Sequence, residues 1–417
     1  MGFSEEIQLV ARIGDAEDVG EAFELYRRFF PLIGNYKFIL AADKGARPGY
    51  AVNRNFSAGA VVRSLFKTDH VLVLDVDTLH DMEATGQSTY PIDYSISLDT
   101  QALSYLEPYM AGRSVPKDFK EVFEFIACDD VYVDPTPYLM ENLRNLDDPA
   151  AADKIFGKLK AYEILRTLDT NLLSSKDIVR SKLSEQELLK RTQEHVSRMY
   201  MDRGRHDIMN ALNFRHQFQY SCLLKMVSIQ LSPSKTSINE KIAAFLEFSH
   251  SQLATMAARE IALARAYFER GQNLTFFGKI QRNRSDILGQ LDNMAWDLLH
   301  IRQLEKMLTL ASPTGRRYFF SALLTFDKRF IEVIDLYPLK SCAFKTDGKE
   351  IIPFYDGDWL GLISSKPDNS HTEMVEKYFS GNAIASRDAR RDDAKRQLAD
   401  VVRQLEDDVR RTLGTDK

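Results

Sequence analysis

Residues 94–106 contain the change of hydrophobic spacing that most constrains the fold. From Tyr94 to Leu98, apolar residues alternate with small polar ones, the period of a β-strand, and from Gln101 they follow at helical spacing. The change falls at Asp99 and Thr100, so a carboxylate stands where a strand ends and a helix begins. Open α/β sheets bind ligands and metal ions at such places, but Asp is also a common helix N-cap. The stretch by itself therefore favours a cap, and a binding role depends on the rest of the chain.

The composition is that of an ordinary folded protein. The 417 residues are enough for two or three domains, and 44% are apolar and 28% charged. We expect a cytoplasmic protein with no membrane contact, because we find no secretory signal and no apolar run of membrane-spanning length. Cys128, Cys222 and Cys342 form no CxxC or zinc motif and are expected to be buried thiols. A net charge of −5 argues against nucleic-acid binding by bulk charge, though not against a local basic patch.

The N-terminal part is expected to be an α/β unit. The patterns predict a helix at 22–30, a strand at 36–41, a helix at 58–66 and a strand at 70–75. The last segment is a continuous apolar run, typical of a strand buried on both faces. It ends in Asp75 and Asp77, a spacing that resembles the nucleophile and acid of haloacid-dehalogenase-like phosphatases. The loop after the second acid is one residue shorter here than in that family. The simpler interpretation is that the two acids end a buried strand and lie in a solvated loop.

A long helical section follows the α/β beginning. Apolar residues three and four positions apart predict helices at 152–168, 184–201, 207–229 and 238–270. Cations and aromatic residues mix at 199–207 and 214–218, a pattern that suits contact with nucleic acid but is more typical of a solvated helix face. The charged helix at 386–413 is expected to dock on the protein's own body or on a second copy, which would give a homodimer.

Three further acids are candidates to join Asp99 in one site, and Asp327 among them follows a strand end in the same way. Glu141 lies one turn into a predicted helix, where an acid is also favoured by the helix dipole. Asp297 lies in a helix predicted at 285–304, and Asp327 follows a buried strand predicted at 318–324. His300, one turn after Asp297, is more typical of a hydrogen-bonded core residue than of a catalytic one.

These acids occur in an order that resembles the PIN domain (PilT N-terminal type), a metal-dependent ribonuclease family. Its first strand ends in Asp followed by a small polar residue, as in Asp99-Thr100, and a later strand ends in Thr-x-Asp followed by an aromatic, as in Thr325-Phe326-Asp327 with Phe330. The resemblance covers 90–145 and 285–340. The chain departs from the pattern in the 156 positions between Glu141 and Asp297, and Asp292 competes with Asp297 for the third acid.

The resemblance implies a three-layer α/β/α fold with a mostly parallel sheet, interrupted by an all-helical insertion in a helix-rich chain. The implied parts are an N-terminal α/β part at 1–148, an insertion at 149–280, a C-terminal α/β part at 281–365 and a charged helical tail at 366–417. The implied ligands of Mg²⁺ or Mn²⁺, and the catalytic residues, are Asp99, Glu141, Asp297 and Asp327. Thr100 and Thr325 would orient these carboxylates, and Lys279, Arg282 and Arg284 would contact nucleic acid, although a solvated basic turn is an equal alternative.

The expected activity is endonucleolytic cleavage of RNA, or of single-stranded DNA. Divalent ions held by carboxylates neutralise the phosphate, activate water and stabilise the leaving oxygen, and oxygen ligands favour Mg²⁺ or Mn²⁺ over zinc. By architecture alone, a helical insertion in a nuclease suggests a toxin or defence effector. The alternatives are a non-catalytic helical interaction or scaffold protein and the phosphatase above. Only the nuclease requires Asp99 and Asp327 to approach one shared ion.

Overall fold

The structure is a computed structural model that describes residues 5–47, 53–176, 178–232, 236–281, 286–309, 318–346, 351–363 and 369–413. The described residues are 65% helical and combine these helices with mixed β-sheets, so the expected helix-rich α/β character is confirmed. The search of the described residues finds no helix long and apolar enough to span a bilayer.

The elements follow one another with helices dominating the middle and the C-terminal end. The helices are α1 (Glu5–Gly14), α2 (Val19–Ile33), α3 (Val76–Thr85), α4 (Thr100–Met110), α5 (Phe119–Ile126), α6 (Thr136–Asn142), α7 (Pro149–Arg166), α8 (Thr170–Lys176), α9 (Glu185–Gly204), α10 (His206–Leu231), α11 (Ile238–Ser251), α12 (Ala258–Arg270), α13 (Ile287–Met307), α14 (Lys328–Leu336), α15 (Trp359–Ile363), α16 (Asn369–Phe379) and α17 (Gly381–Leu413). The strands are β1 (Tyr36–Ala42), β2 (Arg54–Asn55), β3 (Val61–Ser64), β4 (His70–Leu74), β5 (Ile92–Leu98), β6 (Val133–Asp134), β7 (Tyr318–Thr325), β8 (Leu339–Lys345) and β9 (Ile351–Tyr355).

The first sheet is antiparallel and has the order β4-β1-β8-β9. Successive β1 residues point to opposite faces, so Phe38 and Leu40 pack with the helices α1 and α2, while Ile39 joins the main core. Both faces are therefore covered. The coverage of both faces explains why β4 is a continuous apolar run. In the sequence alone, such a run is typical of a strand in a parallel sheet.

The second sheet has the order β2-β3-β7-β5-β6. β5 runs parallel to β6 and to β7, whereas β3 runs antiparallel to β7 and to β2. Leu98 at the end of β5 lies opposite Leu324 near the end of β7. The C-terminal ends of these two strands therefore share one edge of the sheet, although more than 200 residues separate them in the sequence.

Two sequence-based expectations about the sheets are corrected. The sequence predicts one mostly parallel sheet, whereas the described strands form two sheets in which parallel pairing is confined to β5 and its neighbours. The predicted helix at 58–66 is instead the strand β3, in which Val62 pairs with Leu324. Helical spacing in a segment this short does not distinguish the two states, and the β-branched pair Val61 and Val62 favours the strand once β7 is beside it.

The helices α7 to α12 occupy the section predicted to be helical, and their apolar side chains belong to the same hydrophobic cluster as those of the second sheet. The predicted helix at 238–270 is two helices, α11 and α12. The tail helix α17 packs on α10 of the same chain, with Leu398, Leu405 and Val409 buried. Cys222 and Cys342 are buried free thiols, while Cys128 is half-buried. The four predicted segments, with their three boundaries, remain predictions.

The junction of the two sheets is expected to dominate stability. Phe320 of β7 is fully buried and stacks on Phe66 at a centroid distance of 5.1 Å. We expect Phe320→Ala to lower the free energy of unfolding by about 3–5 kcal/mol, since it removes a large buried ring and leaves a cavity. Leu32→Ala is the control, because Leu32 is 58% exposed and its loss should change stability by less than about 0.5 kcal/mol. Equal effects of both substitutions in urea unfolding would contradict this assignment of the core.

Candidate functional site

Two strand ends form the base of the candidate site. β5 ends at Leu98 and β7 at Thr325, and both chains turn into helices at the same edge of the sheet. The Asp99 backbone N–H donates to the Leu324 carbonyl over 3.1 Å. Asp99 is the N-cap of α4 and Asp327 is the N-cap of α14. Backbone pairing therefore brings these two carboxylates to one edge.

Asp99 is nearly enclosed by protein. Its side chain accepts a hydrogen bond from the Ala102 backbone N–H, and the Thr325 hydroxyl lies within hydrogen-bonding reach. Burial raises the pKa of Asp99 to about 6, although these hydrogen bonds and the nearby His300 oppose the rise. The carboxylate is therefore held at a pKa close to neutral pH, which an ordinary exposed N-cap would not show.

Glu141, on α6, is held by two side chains at the same edge. Its Oε2 accepts a hydrogen bond from the Thr100 hydroxyl at 2.5 Å, and its Oε1 lies 2.6 Å from His300 Nε2. Because a carboxylate only accepts, Nε2 must carry the proton in this contact. His300 is 2% exposed, and its Nδ1 makes no hydrogen bond to any described residue. His300 is therefore both a buried residue, as expected, and a direct partner of a predicted site acid.

Asp297 and Asp327 differ in how their charge is balanced. Asp297, on α13, has a pKa well above its usual value because of burial and of the negative charges of Asp327, Glu141 and Asp99. Burial would also raise the pKa of Asp327, but hydrogen bonds from Arg329 outweigh it and the pKa is lowered. The Arg329 Nε donates to Asp327 Oδ1 at 2.9 Å. Asp297 is thus the acid least compensated by nearby cations.

The acids Glu141, Asp297 and Asp327 line one pocket of about 280 Å³ together with the cations Lys279 and Arg329. Asp99 interacts electrostatically with Glu141 without lining the pocket. The other lining residues are Thr100, Gln101, Phe276, Gln290, Asn293, Met294 and Trp296. The structure therefore brings together the four predicted acids, Thr100, Thr325 and Lys279, while Arg282 and Arg284 lie outside the described residues.

The donor set suits a hard divalent cation, because it consists of carboxylate oxygens whose mutual repulsion raises the pKa of Asp297. In the described ranges, no group of three or more His, Cys, Asp or Glu side chains has the arrangement of a metal site. The contacts explain this, since Asp327 is paired with Arg329 and Glu141 with Thr100 and His300. A shared cation would require these side chains to turn toward Asp297.

Several residues were not predicted from the sequence or were left undecided. Arg329 was missed, although its position two residues after Asp327 is a signal for a local ion pair. Asp292 points away from the pocket, with its Oδ1 3.5 Å from His216 Nε2, so Asp297 is the acid that faces the site. Asp75 caps α3 by accepting from the Thr78 N–H at 2.7 Å, and it also accepts from the Tyr318 hydroxyl. Both of its oxygens are therefore engaged, which disfavours its use as a nucleophile.

Comparisons with protein-family models, with characterised proteins and with solved structures find no significant match to this chain. The interpretation of the site therefore depends on its own geometry and charge.

The raised pKa of Asp297 can be tested through the pH dependence of the free energy of unfolding. A raised pKa means that the folded state binds more protons than the unfolded state at pH values above about 4, so stability falls as pH rises through that window. We expect Asp297→Asn to raise the free energy of unfolding at pH 7 by on the order of 1 kcal/mol. The gain should shrink as the pH approaches 4, where the wild-type acid is protonated in the folded state and becomes protonated in the unfolded state as well. Urea unfolding of the wild type and the variant at pH 4, 5, 6 and 7 measures this difference in the free energy of unfolding.

Asp292→Asn is the matched control, because it removes an acid from the same helix at a half-exposed position outside the pocket. It should change stability by less than about 0.5 kcal/mol at every pH. If Asp297→Asn is destabilising at pH 7, or if its effect does not depend on pH, the electrostatic description of the pocket is wrong.

Proposed function

We propose that this protein is a metal-dependent nuclease that cleaves RNA, using Mg²⁺ or Mn²⁺ at the pocket of Glu141, Asp297 and Asp327. The observation that carries the proposal is the convergence of three acids on one small pocket: Asp327 after the end of β7, Glu141 on α6 and Asp297 on α13, with Asp99 close behind Glu141. Packing alone gives no reason to gather like charges, and the pKa of Asp297 is raised by its burial and, in addition, by the neighbouring acids.

The roles of the chain's own groups follow from their positions. Asp297 and Asp327 would hold the cation, with Asp99 and Glu141 beside them, and a bound cation would supply charge neutralisation at phosphate and an activated water. Lys279 and Arg329 line the same pocket and are positioned to contact phosphate oxygens. Trp296 and Phe276 contribute buried aromatic side chains to the same wall. His300 keeps Glu141 oriented through its Nε2 proton.

A non-catalytic interaction protein is the competing function. It is favoured by one observation, namely that both Asp99 and Asp327 cap helices by accepting backbone N–H groups. Capping accounts for these two acids without a metal. It does not account for Asp297, which lies in the middle of the long helix α13 rather than at its start, and it does not account for the contact of Glu141 with buried His300.

Cation binding can be tested without any substrate. Saturating Mn²⁺ is expected to raise the midpoint of thermal unfolding of the wild type by about 3 °C, since a ligand at 100 times its Kd stabilises the folded state by about 2.7 kcal/mol and a chain of 417 residues has a large unfolding entropy. Asp297→Asn should lose this shift, while Asp292→Asn should keep it. An equal shift in all three proteins would show that Mn²⁺ binds elsewhere.

Cleavage is tested with labelled single-stranded RNA and DNA in Mn²⁺, in Mg²⁺ and in EDTA. We expect the wild type to cleave RNA only when a divalent cation is present, and Asp99→Asn, Asp297→Asn and Asp327→Asn each to reduce the rate by about 100-fold or more. Asp292→Asn should stay within about twofold of the wild type. Cleavage that survives EDTA, or that is unchanged in all three variants, would rule out the proposed nuclease.

A further inference from the structure

A second and larger cavity lies away from the acidic pocket. It has a volume of about 670 Å³ and is formed by α10, the segment between α11 and α12, the C-terminal half of α13, β9 and α17. Small-molecule sites in proteins are typically 300–1,000 Å³ in volume. None of the residues that line it lines the acidic pocket, so the two cavities are separate sites.

The inner walls of this cavity are largely apolar and aromatic. Phe214 and Phe218 lie one turn apart on α10, and both are partly exposed. Met256, Leu299 and Tyr355 come from three other elements and complete the apolar surface. Partly exposed aromatic rings facing other apolar side chains across an open cavity provide a surface for a flat or apolar ligand body.

The charged groups of the cavity are all positive. Five cations line it and no Asp or Glu does so: Arg215, Arg302, Lys306, Arg391 and Lys395. The innermost cation, Arg302, is balanced by ion pairs with Glu260 and Glu305 behind the wall. Among the described residues, Arg391 and Lys395 pair with the exposed acids Asp388 and Asp392 on their own helix and with no other acid, and such pairs are weak. The opening near α17 therefore presents positive charge to an entering molecule.

The floor of the cavity contains a polar group with unused bonding capacity. Gln219 lines the cavity and is 3% exposed, and its Nε2 donates to Glu260 at 2.9 Å. This contact fixes the orientation of the amide, because a carboxylate accepts and cannot donate. Gln219 Oε1 then has no hydrogen-bond donor among the described residues. Buried polar atoms are nearly always paired in folded proteins, so an unpaired acceptor on a residue that lines the cavity is unusual.

The segment between α11 and α12 adds an independent sign of a functional site. Ala254 has a φ of 48°, in the left-handed region that favours glycine. The neighbouring residues hold it there, since the Thr255 N–H donates to the Ser249 carbonyl at 3.1 Å. Such a conformation costs on the order of 1 kcal/mol or more and is concentrated at functional sites. Here the strained residue lies between Leu253 and Thr255, both of which line the cavity.

We propose that this cavity binds a small amphipathic anion, that is, a molecule with a flat or apolar body and a phosphate, sulfonate or carboxylate at one end. The body lies between the rings of Phe214, Phe218 and Tyr355, and the anionic end lies at Arg391 and Lys395 on α17. The site does not depend on the proposed nuclease activity, and its test measures binding rather than cleavage.

The first experiment titrates the full-length protein with 8-anilinonaphthalene-1-sulfonate, an aromatic anion that fluoresces in apolar surroundings. The double variant Arg391→Gln/Lys395→Gln is expected to weaken its binding about 10-fold, because two charges at the opening are lost. Arg396→Gln is the matched control, since Arg396 is on the same helix, is 71% exposed and does not line the cavity. It should change the affinity by less than about twofold. The neutral analogue N-phenyl-1-naphthylamine should bind the wild type and the double variant equally.

The second experiment fills the cavity. Ala394→Phe places a ring in it from α17 and should abolish binding of the sulfonate probe, whereas Ala399→Phe adds the same ring at an exposed position of α17 and should leave binding intact. Adenosine monophosphate and decanoate are then used as competitors, and whichever displaces the probe identifies a phosphate or a carboxylate as the preferred end. Equal probe binding by the two Phe variants, or no displacement by either competitor, would overturn the proposal. An equal loss in the double variant and Arg396→Gln would also overturn it.

Discussion

The parallel pairing of β5 with β7 determines where every part of the acidic pocket lies. The backbone bond from Asp99 to the Leu324 carbonyl aligns the two strand ends, and the stacked rings of Phe66 and Phe320 fix β7 against the rest of the core. The Ser321 hydroxyl also donates to the Leu304 carbonyl at 2.8 Å, which ties β7 to α13. One strand pair thus aligns Asp99 with Asp327, and the helix packed behind it supplies Asp297.

The same arrangement concentrates negative charge in a place that the fold only partly neutralises. Arg329 holds Asp327, and the protonated Nε2 of His300 holds Glu141, but Asp297 is repelled by its neighbours and keeps a raised pKa. Native proteins are typically stable by only about 5–15 kcal/mol, so such repulsion is a measurable fraction of the total. Groups of side chains that lower the stability of the folded state are commonly those that bind or act on other molecules.

Local patterns in the sequence were sufficient to predict where β5 and β7 end. They were not sufficient to predict which strands pair with one another. The change of period at Asp99 and the buried run before Asp327 predict both acids at element boundaries, and the structure brings them to one edge. The pairing partners depend on contacts across hundreds of residues, so the two-sheet arrangement and the strand nature of 61–64 were missed. The cavity beside α17 was beyond prediction for the same reason, because its walls come from five distant segments.

α13 forms part of the wall of both cavities. Asp297 lies on the acidic pocket, and Lys306, nine residues further along, lies on the large cavity, a separation of about 13 Å along a continuous helix at ~1.5 Å per residue. A helix of this kind transmits displacement along its axis with little bending. A molecule that shifts one end of α13 would alter the surroundings of the other, and thermodynamic linkage would make the two affinities change by the same factor in both directions.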